Sequence, residues 1–143
     1  MTEALTQILN QPIQTTGEHP FTPLEVVCLR NSTNALNLVS LLLENGADPN
    51  ATGSYPLMIA AQAFKNASVQ EEVSKTALEN GARIIMKLLE AGANPFRIIQ
   101  NRFRLTAFQF MLGMDLPVQI SQYCIAKLVS GDFAVETDVH SLD

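Results

Sequence analysis

The chain has 143 residues and a mass of 15.6 kDa, enough for one domain that buries about 68–70% of its unfolded surface. Hydrophobic residues at 47% and charged residues at 16% exclude a disordered tail and a charge-rich solvated rod. Nine basic residues against fourteen acidic give a net charge of −5, which argues against a nucleic-acid partner, and no apolar run reaches the ~18 residues of a membrane span.

In chain order, residues 2–10 place Leu5, Ile8 and Leu9 at helical spacing before Pro12, and are expected to form an N-terminal capping helix. Thr22-Pro23-Leu24-Glu25-Val26-Val27-Cys28 opens a helix expected over 23–30, with proline at the first helical position, where its missing N–H is not needed. A helix over 34–45 follows, carrying Leu38, Val39, Leu42 and Leu43 and stopped by Gly46. The same succession then returns. Tyr55-Pro56-Leu57-Met58-Ile59-Ala60-Ala61 opens a helix over 56–65, and Ile84, Ile85, Leu88 and Leu89 precede Gly92 by 8, 7, 4 and 3 residues, as Leu38, Val39, Leu42 and Leu43 precede Gly46. Thr106-Ala107-Phe108-Gln109-Phe110-Met111-Leu112 opens a third pair, over 106–113 and 117–130. Taking Asp132 as its stop puts Cys124, Ile125, Leu128 and Val129 on the buried face. The chain is an internal repeat.

The second pair is longer than the first: nine residues separate Cys28 from Leu38, but twenty-two separate Ala61 from Ile84. The excess begins with Ser68-Val69-Gln70-Glu71, which has the form of a capping box, and runs on through Val73 and Ala77 on the face of Ile84 and Leu88. One long outer helix over 68–91, overhanging its neighbours, is expected. The alternative is an added helix ending near Asn80, because Asn80-Gly81 can end one helix and begin another.

The Thr-Pro-Leu and Tyr-Pro-Leu openings, together with the loops Gly46-Ala47-Asp48-Pro49-Asn50 and Gly92-Ala93-Asn94-Pro95-Phe96, resemble the ankyrin repeat over about residues 20–132. The resemblance implies an all-α ankyrin-repeat solenoid of about three helix pairs with an N-terminal capping helix. It places a single domain at 1–131, with a cap at 1–19, repeats at 20–52 and 53–103, an insertion at 62–82, a degenerate repeat at 104–131 and an acidic tail at 132–143. The family's histidine place holds Glu25, Met58 and Gln109, so the hydrogen bond usual there must be replaced or absent. Val27 and Met111 stand where the family has a small residue, which implies adjusted stacking.

Catalytic chemistry finds little support. His19 and His140 lie far from any candidate nucleophile in the repeat, Cys28 and Cys124 fall at compact core positions, and adjacent Glu71 and Glu72 suit a helix start. The cysteines and histidines form no zinc-ligand spacing. Three Asn-x-Ser/Thr triplets, at Asn31, Asn50 and Asn66, read as polar loops in a chain whose first residues show no leader. No glycine-rich phosphate loop follows a strand. No enzyme activity, cofactor or metal is expected.

One segment departs from its surroundings. Pro95 to Arg104 holds three of the nine basic residues of an acidic chain, and interleaves Arg97, Arg102 and Arg104 with Phe96, Ile99 and Phe103, the mixture that protein-binding hot spots use. The resemblance implies a module, monomeric when free, that binds a protein through this hairpin and through the inner-helix face at Glu25, Met58 and Gln109, with no nucleic acid and no membrane. It would serve as a cytoplasmic adaptor, including a bacterial effector delivered to a host cell. The alternative is a stoichiometric inhibitor or immunity-type protein, whose acidity would suit a basic toxin or nuclease.

Overall fold

The computed structural model describes residues 10, 22–30, 34–50, 56–69, 75–96 and 106–131. Those residues are all-α and form six helices: α1 Pro23–Arg30, α2 Ala35–Glu44, α3 Pro56–Ser68, α4 Lys75–Glu90, α5 Ala107–Leu112 and α6 Val118–Ser130. The three expected helix pairs are present, with ends displaced by a residue or two except around the insertion. Contacts within the chain divide it into two compact units, Met1–Ala93 and Asn94–Asp143. The division falls inside the Gly92–Phe96 loop.

In the first unit α1 packs on α2 and α3, while α4 packs on α2 and α3. Helix α3 is the most enclosed of the four: Pro56 through Ala61 and Phe64 are all buried, and Gln62, Lys65 and Asn66 make its exposed side. On α4 the buried set is Gly81, Ala82, Ile84, Ile85, Leu88 and Leu89, a single stripe at helical spacing. Full burial of each large aliphatic on that stripe contributes about 1.5–3 kcal/mol.

The insertion resolves differently from either expectation. Residues 62–68 lengthen α3 to 13 residues, and the outer helix begins at Lys75 rather than at 68. Ser68 ends a helix instead of starting one, its hydroxyl donating to the Lys65 carbonyl at 2.7 Å. Helix α4 then continues without a break through Asn80 and Gly81. A glycine inside a helix costs about 1 kcal/mol, and the apolar stripe on either side of Gly81 more than offsets it. The 16 residues of α4 span about 24 Å, against about 15 Å for the 10 of α2.

Two ends share one geometry. At the end of α2 the Ala47 N–H bonds the Leu42 carbonyl at 3.0 Å and the Gly46 N–H bonds that of Leu43 at 3.3 Å; at the end of α4 Ala93 bonds Leu88 at 2.9 Å and Gly92 bonds Leu89 at 3.0 Å. This is the Schellman pattern, and it needs a left-handed residue. Gly46 and Gly92 supply it with φ of 103° and 105°.

In the second unit α5 packs on α6, and α6 stops at Gly131, whose φ is 81°. Asp132 is therefore not the stop, and the expected buried face slips by one residue. Counting from Gly131, the four places fall on Tyr123, Cys124, Lys127 and Leu128. Cys124 is buried, whereas Ile125 and Val129 are 49% and 81% exposed, which corrects the face read from apolar content alone. The N-terminal helix and the acidic tail lie outside the described residues, apart from Asn10, which is helical.

Candidate functional site

The family's histidine place carries a different solution in each repeat. In the first, Thr22 precedes α1 and Glu25 stands one turn in. The Thr22 N–H and hydroxyl donate to Glu25 Oε1 at 2.9 and 3.0 Å, and the Glu25 N–H donates to Thr22 Oγ1 at 3.3 Å. In the third, the Thr106 N–H and hydroxyl donate to Gln109 Oε1 at 2.9 and 3.3 Å, and the Gln109 N–H donates to Thr106 Oγ1 at 3.1 Å. Both are capping boxes, in which side chain and backbone satisfy donors that the first helical turn leaves over. The usual histidine bond is thus replaced at these two positions. In the second repeat Met58 carries no polar group and lies in the core.

Glu25 and Met58, expected on the binding surface, are both buried. Glu25 is 1% exposed and Met58 5% exposed, Glu25 because its carboxyl turns back onto Thr22, Met58 because α3 is packed between two helices. Gln109 is exposed, though its amide oxygen is engaged by Thr106. The boxes were readable as Thr22-x-x-Glu25 and Thr106-x-x-Gln109, the pattern that sequence reading assigned to Ser68-x-x-Glu71 instead.

Burial decides the electrostatics of this end of α1. It holds the Glu25 carboxyl above the ordinary carboxylate range, against the two opposing Thr22 bonds, and Glu25 Oε2 is buried with no hydrogen-bond partner among the described residues. The Cys28 thiol is pushed up to about 12, first by burial and then by the Glu25 charge, and the Cys124 thiol to about 11 by burial. Burial thus holds both thiols against ionisation, the opposite of what activates a cysteine nucleophile. Among the described residues no group of three His, Cys, Asp or Glu side chains comes together to hold a metal ion.

The arginine-bearing segment is defined by its two flanks. The Phe96 N–H donates to Asn94 Oδ1 at 2.9 Å, and the Phe96 ring lies 5.0 Å from that of Phe108, tilted by 51°. The Phe108 N–H donates to the Pro95 carbonyl at 2.9 Å. The chain therefore leaves this point at Phe96 and comes back to it at Thr106. Phe96 is 4% exposed, so it is an internal anchor of the flank and not the aromatic offered to a partner's pocket, because its ring is spent on Phe108. Arg97, Ile99, Arg102, Phe103 and Arg104 lie outside the described residues.

Side-chain amides also tie one loop to the next inside the first unit. Asn10 Nδ2 donates to the Gly46 carbonyl at 3.0 Å while its Oδ1 accepts from the Asp48 N–H at 2.6 Å, and Asn50 Nδ2 donates to the Gly92 carbonyl at 2.9 Å. The position in the second loop that corresponds to Asn50 is Phe96.

Two of the apolar side chains expected on the buried face of α6 are exposed instead. Val118, Ile125 and Val129 are exposed, and they share one side of the helix by their spacing of seven and four. The displaced glycine was the signal: counting from Gly131 would have put Ile125 and Val129 off the buried face.

Residues 21–54 match the family model of the ankyrin repeat. That stretch runs from the Thr22-Pro23-Leu24 opening through the first glycine stop. No curated protein and no solved structure gives a significant match. The match and the helix-pair architecture identify an all-α, ankyrin-like repeat fold, and the repeat suggests a protein–protein interaction module of a kind that is typically non-enzymatic. No helix among the described residues is long and apolar enough to cross a membrane.

Proposed function

We propose that this chain, which carries an ankyrin repeat over residues 21–54, binds a protein partner through the segment between Phe96 and Thr106. The observation that carries this reading is the closure of its flanks by the Pro95–Phe108 hydrogen bond and the Phe96–Phe108 contact. Holding both ends of a short segment reduces the ordering that binding would otherwise require. Between those flanks the sequence sets Arg97, Arg102 and Arg104 beside Ile99 and Phe103, in a chain whose net charge is −5. Such a patch suits an acidic rim around an apolar pocket, with Phe103 as the anchor and the arginines steering the encounter. Gln109, exposed and three residues past Thr106, is included in the proposed contact. We assign the module a monomeric free state and an adaptor role in the cytoplasm, including that of an effector acting in a host cell.

A second reading draws support from the acidity of the chain: a stoichiometric inhibitor or immunity-type protein would use its negative charge to meet a basic toxin or nuclease. Affinity capture from lysate with the parent chain, Phe103→Ala and the Arg102→Glu, Arg104→Glu double variant tests the first reading, each variant first showing an unchanged thermal melt. Loss of the captured protein in both variants supports the segment as the contact. Undiminished capture by both refutes it. A one-to-one complex with a basic enzyme that loses activity on binding would favour the inhibitor.

A further inference from the structure

The two capping boxes have the same bonds and different chemistry. In the third repeat a neutral amide accepts from Thr106 and sits at the surface. In the first, the carboxyl of buried Glu25 accepts both Thr22 bonds on Oε1 and leaves Oε2 without a partner among the described residues. An ionised carboxylate offers about four acceptor sites. Leaving one oxygen of a buried anion unserved is more costly than leaving a neutral carboxylic acid partly unserved.

From this geometry we infer that the Thr22–Glu25 box is a proton-sensitive clamp: it holds the first repeat most firmly when Glu25 carries its proton, and loosens as the solution becomes more alkaline. Among the described residues, the helices packed on α1 bring nothing to neutralise the charge. Helix α2 has one ionisable side chain, Glu44, and α3 has one, Lys65; both are exposed, whereas Glu25 is buried. On α1 itself the neighbour is Cys28, one turn further on, whose raised thiol is neutral over the same range. Two features favour ionisation, the Thr22 bonds and the place of Glu25 in the first helical turn, where the helix dipole favours an anion. Burial outweighs them, in keeping with the upward displacement of the carboxyl.

The sign follows from linkage. With the folded carboxyl raised above its unfolded value, folding takes up a proton between the two. The contribution to stability is whole below the unfolded carboxyl range and is lost as pH rises through the folded value. Urea unfolding of the full chain across about pH 4 to 9, a window that brackets ordinary carboxylates, tests this with three proteins. The parent midpoint should fall as pH rises relative to Glu25→Gln. The two curves should converge at the acid end, with the glutamine variant shifted to higher urea at the alkaline end. Gln109→Glu, which puts the carboxyl at the exposed box, should run parallel to the parent. Parallel curves for parent and Glu25→Gln would overturn the inference, and so would a comparable new fall in Gln109→Glu, since burial would then not be the cause. Carbon-13 titration of the Glu25 carboxyl in the parent reads the same proton without any substitution. A midpoint above the ordinary glutamate range is expected, and one within it refutes the clamp even if Glu25→Gln does not fold.

Discussion

Helices α4 and α6 occupy the same place in their repeats and end on the same kind of glycine, yet they use their faces in opposite ways. Counted back from Gly92, the places 8, 7, 4 and 3 residues away hold Ile84, Ile85, Leu88 and Leu89, all buried. Counted back from Gly131 they hold Tyr123, Cys124, Lys127 and Leu128, of which only Cys124 is buried. The outward places reverse the contrast. Glu79, Arg83 and Glu90 make a solvated charged stripe on α4, and Val118, Gln122 and Val129 stand at the same distances on α6, all exposed. Lys127 covers its own neighbour, with Nζ 5.5 Å from the centre of the Tyr123 ring, an arrangement that lets two polar-tipped side chains shelter apolar surface. The lesson is that apolar content alone does not decide which side of these helices turns inward: Val118 and Val129 stay in solvent on α6, while Gly81 is buried on α4.

That contrast can be broken or sharpened by substitution, beginning with the deepest position. Leu88→Ala should cost about 2–5 kcal/mol in urea unfolding, because it empties a fully buried site. Leu42→Ala, at the corresponding but half-buried place of α2, should cost less, and equal losses would mean that α2 and α4 are equally enclosed. Next, Gly131→Ala should cost about 1–2 kcal/mol, since the left-handed backbone there strains any residue with a Cβ. No atom stands within 4 Å of that added carbon, so the loss is one of conformation and not of space; a neutral result would restore Asp132 as the stop. Thr106→Ala removes the hydroxyl half of the third capping box, leaving the Thr106 N–H bond to Gln109 in place, and should cost about 1 kcal/mol. At the bottom of the scale, Val129→Lys should leave the midpoint within about 0.5 kcal/mol of the parent. A large loss would show that this exposed valine is covered in solution.

Much of the fold was legible because ankyrin-like repeats write their helix boundaries in residues with strong local preferences. Proline at 23 and 56 starts helices, glycine at 46 and 92 stops them, and the four apolar places between are set by helical period. The inserted stretch was harder. Ser68 fits the start of a helix as well as the end of one, and the sequence does not reveal whether its hydroxyl will serve an amide ahead of it or the Lys65 carbonyl behind. Asn80-Gly81 looks like a break, but local propensity yields to the burial of Ile84, Ile85 and Leu88 just beyond it. The candidate site was less legible for a related reason: Phe96 and Glu25 look like contact residues by type, and only the fold shows that both are buried, the one against Phe108 and the other beside Thr22.

The tie between Asn10 and the first loop gives the molecule a built-in isotopic gauge. The Asp48 amide hydrogen is held by Asn10 Oδ1, 38 residues away in sequence, whereas the Asn50 amide two positions on is held by Asp48 Oδ1 within the loop itself. In deuterated water the second amide opens whenever the turn flexes, but the first opens only when the segment carrying Asn10 lets go. The difference between these two exchange rates therefore reports, from within one surface loop, how often Asn10 lets go of that loop.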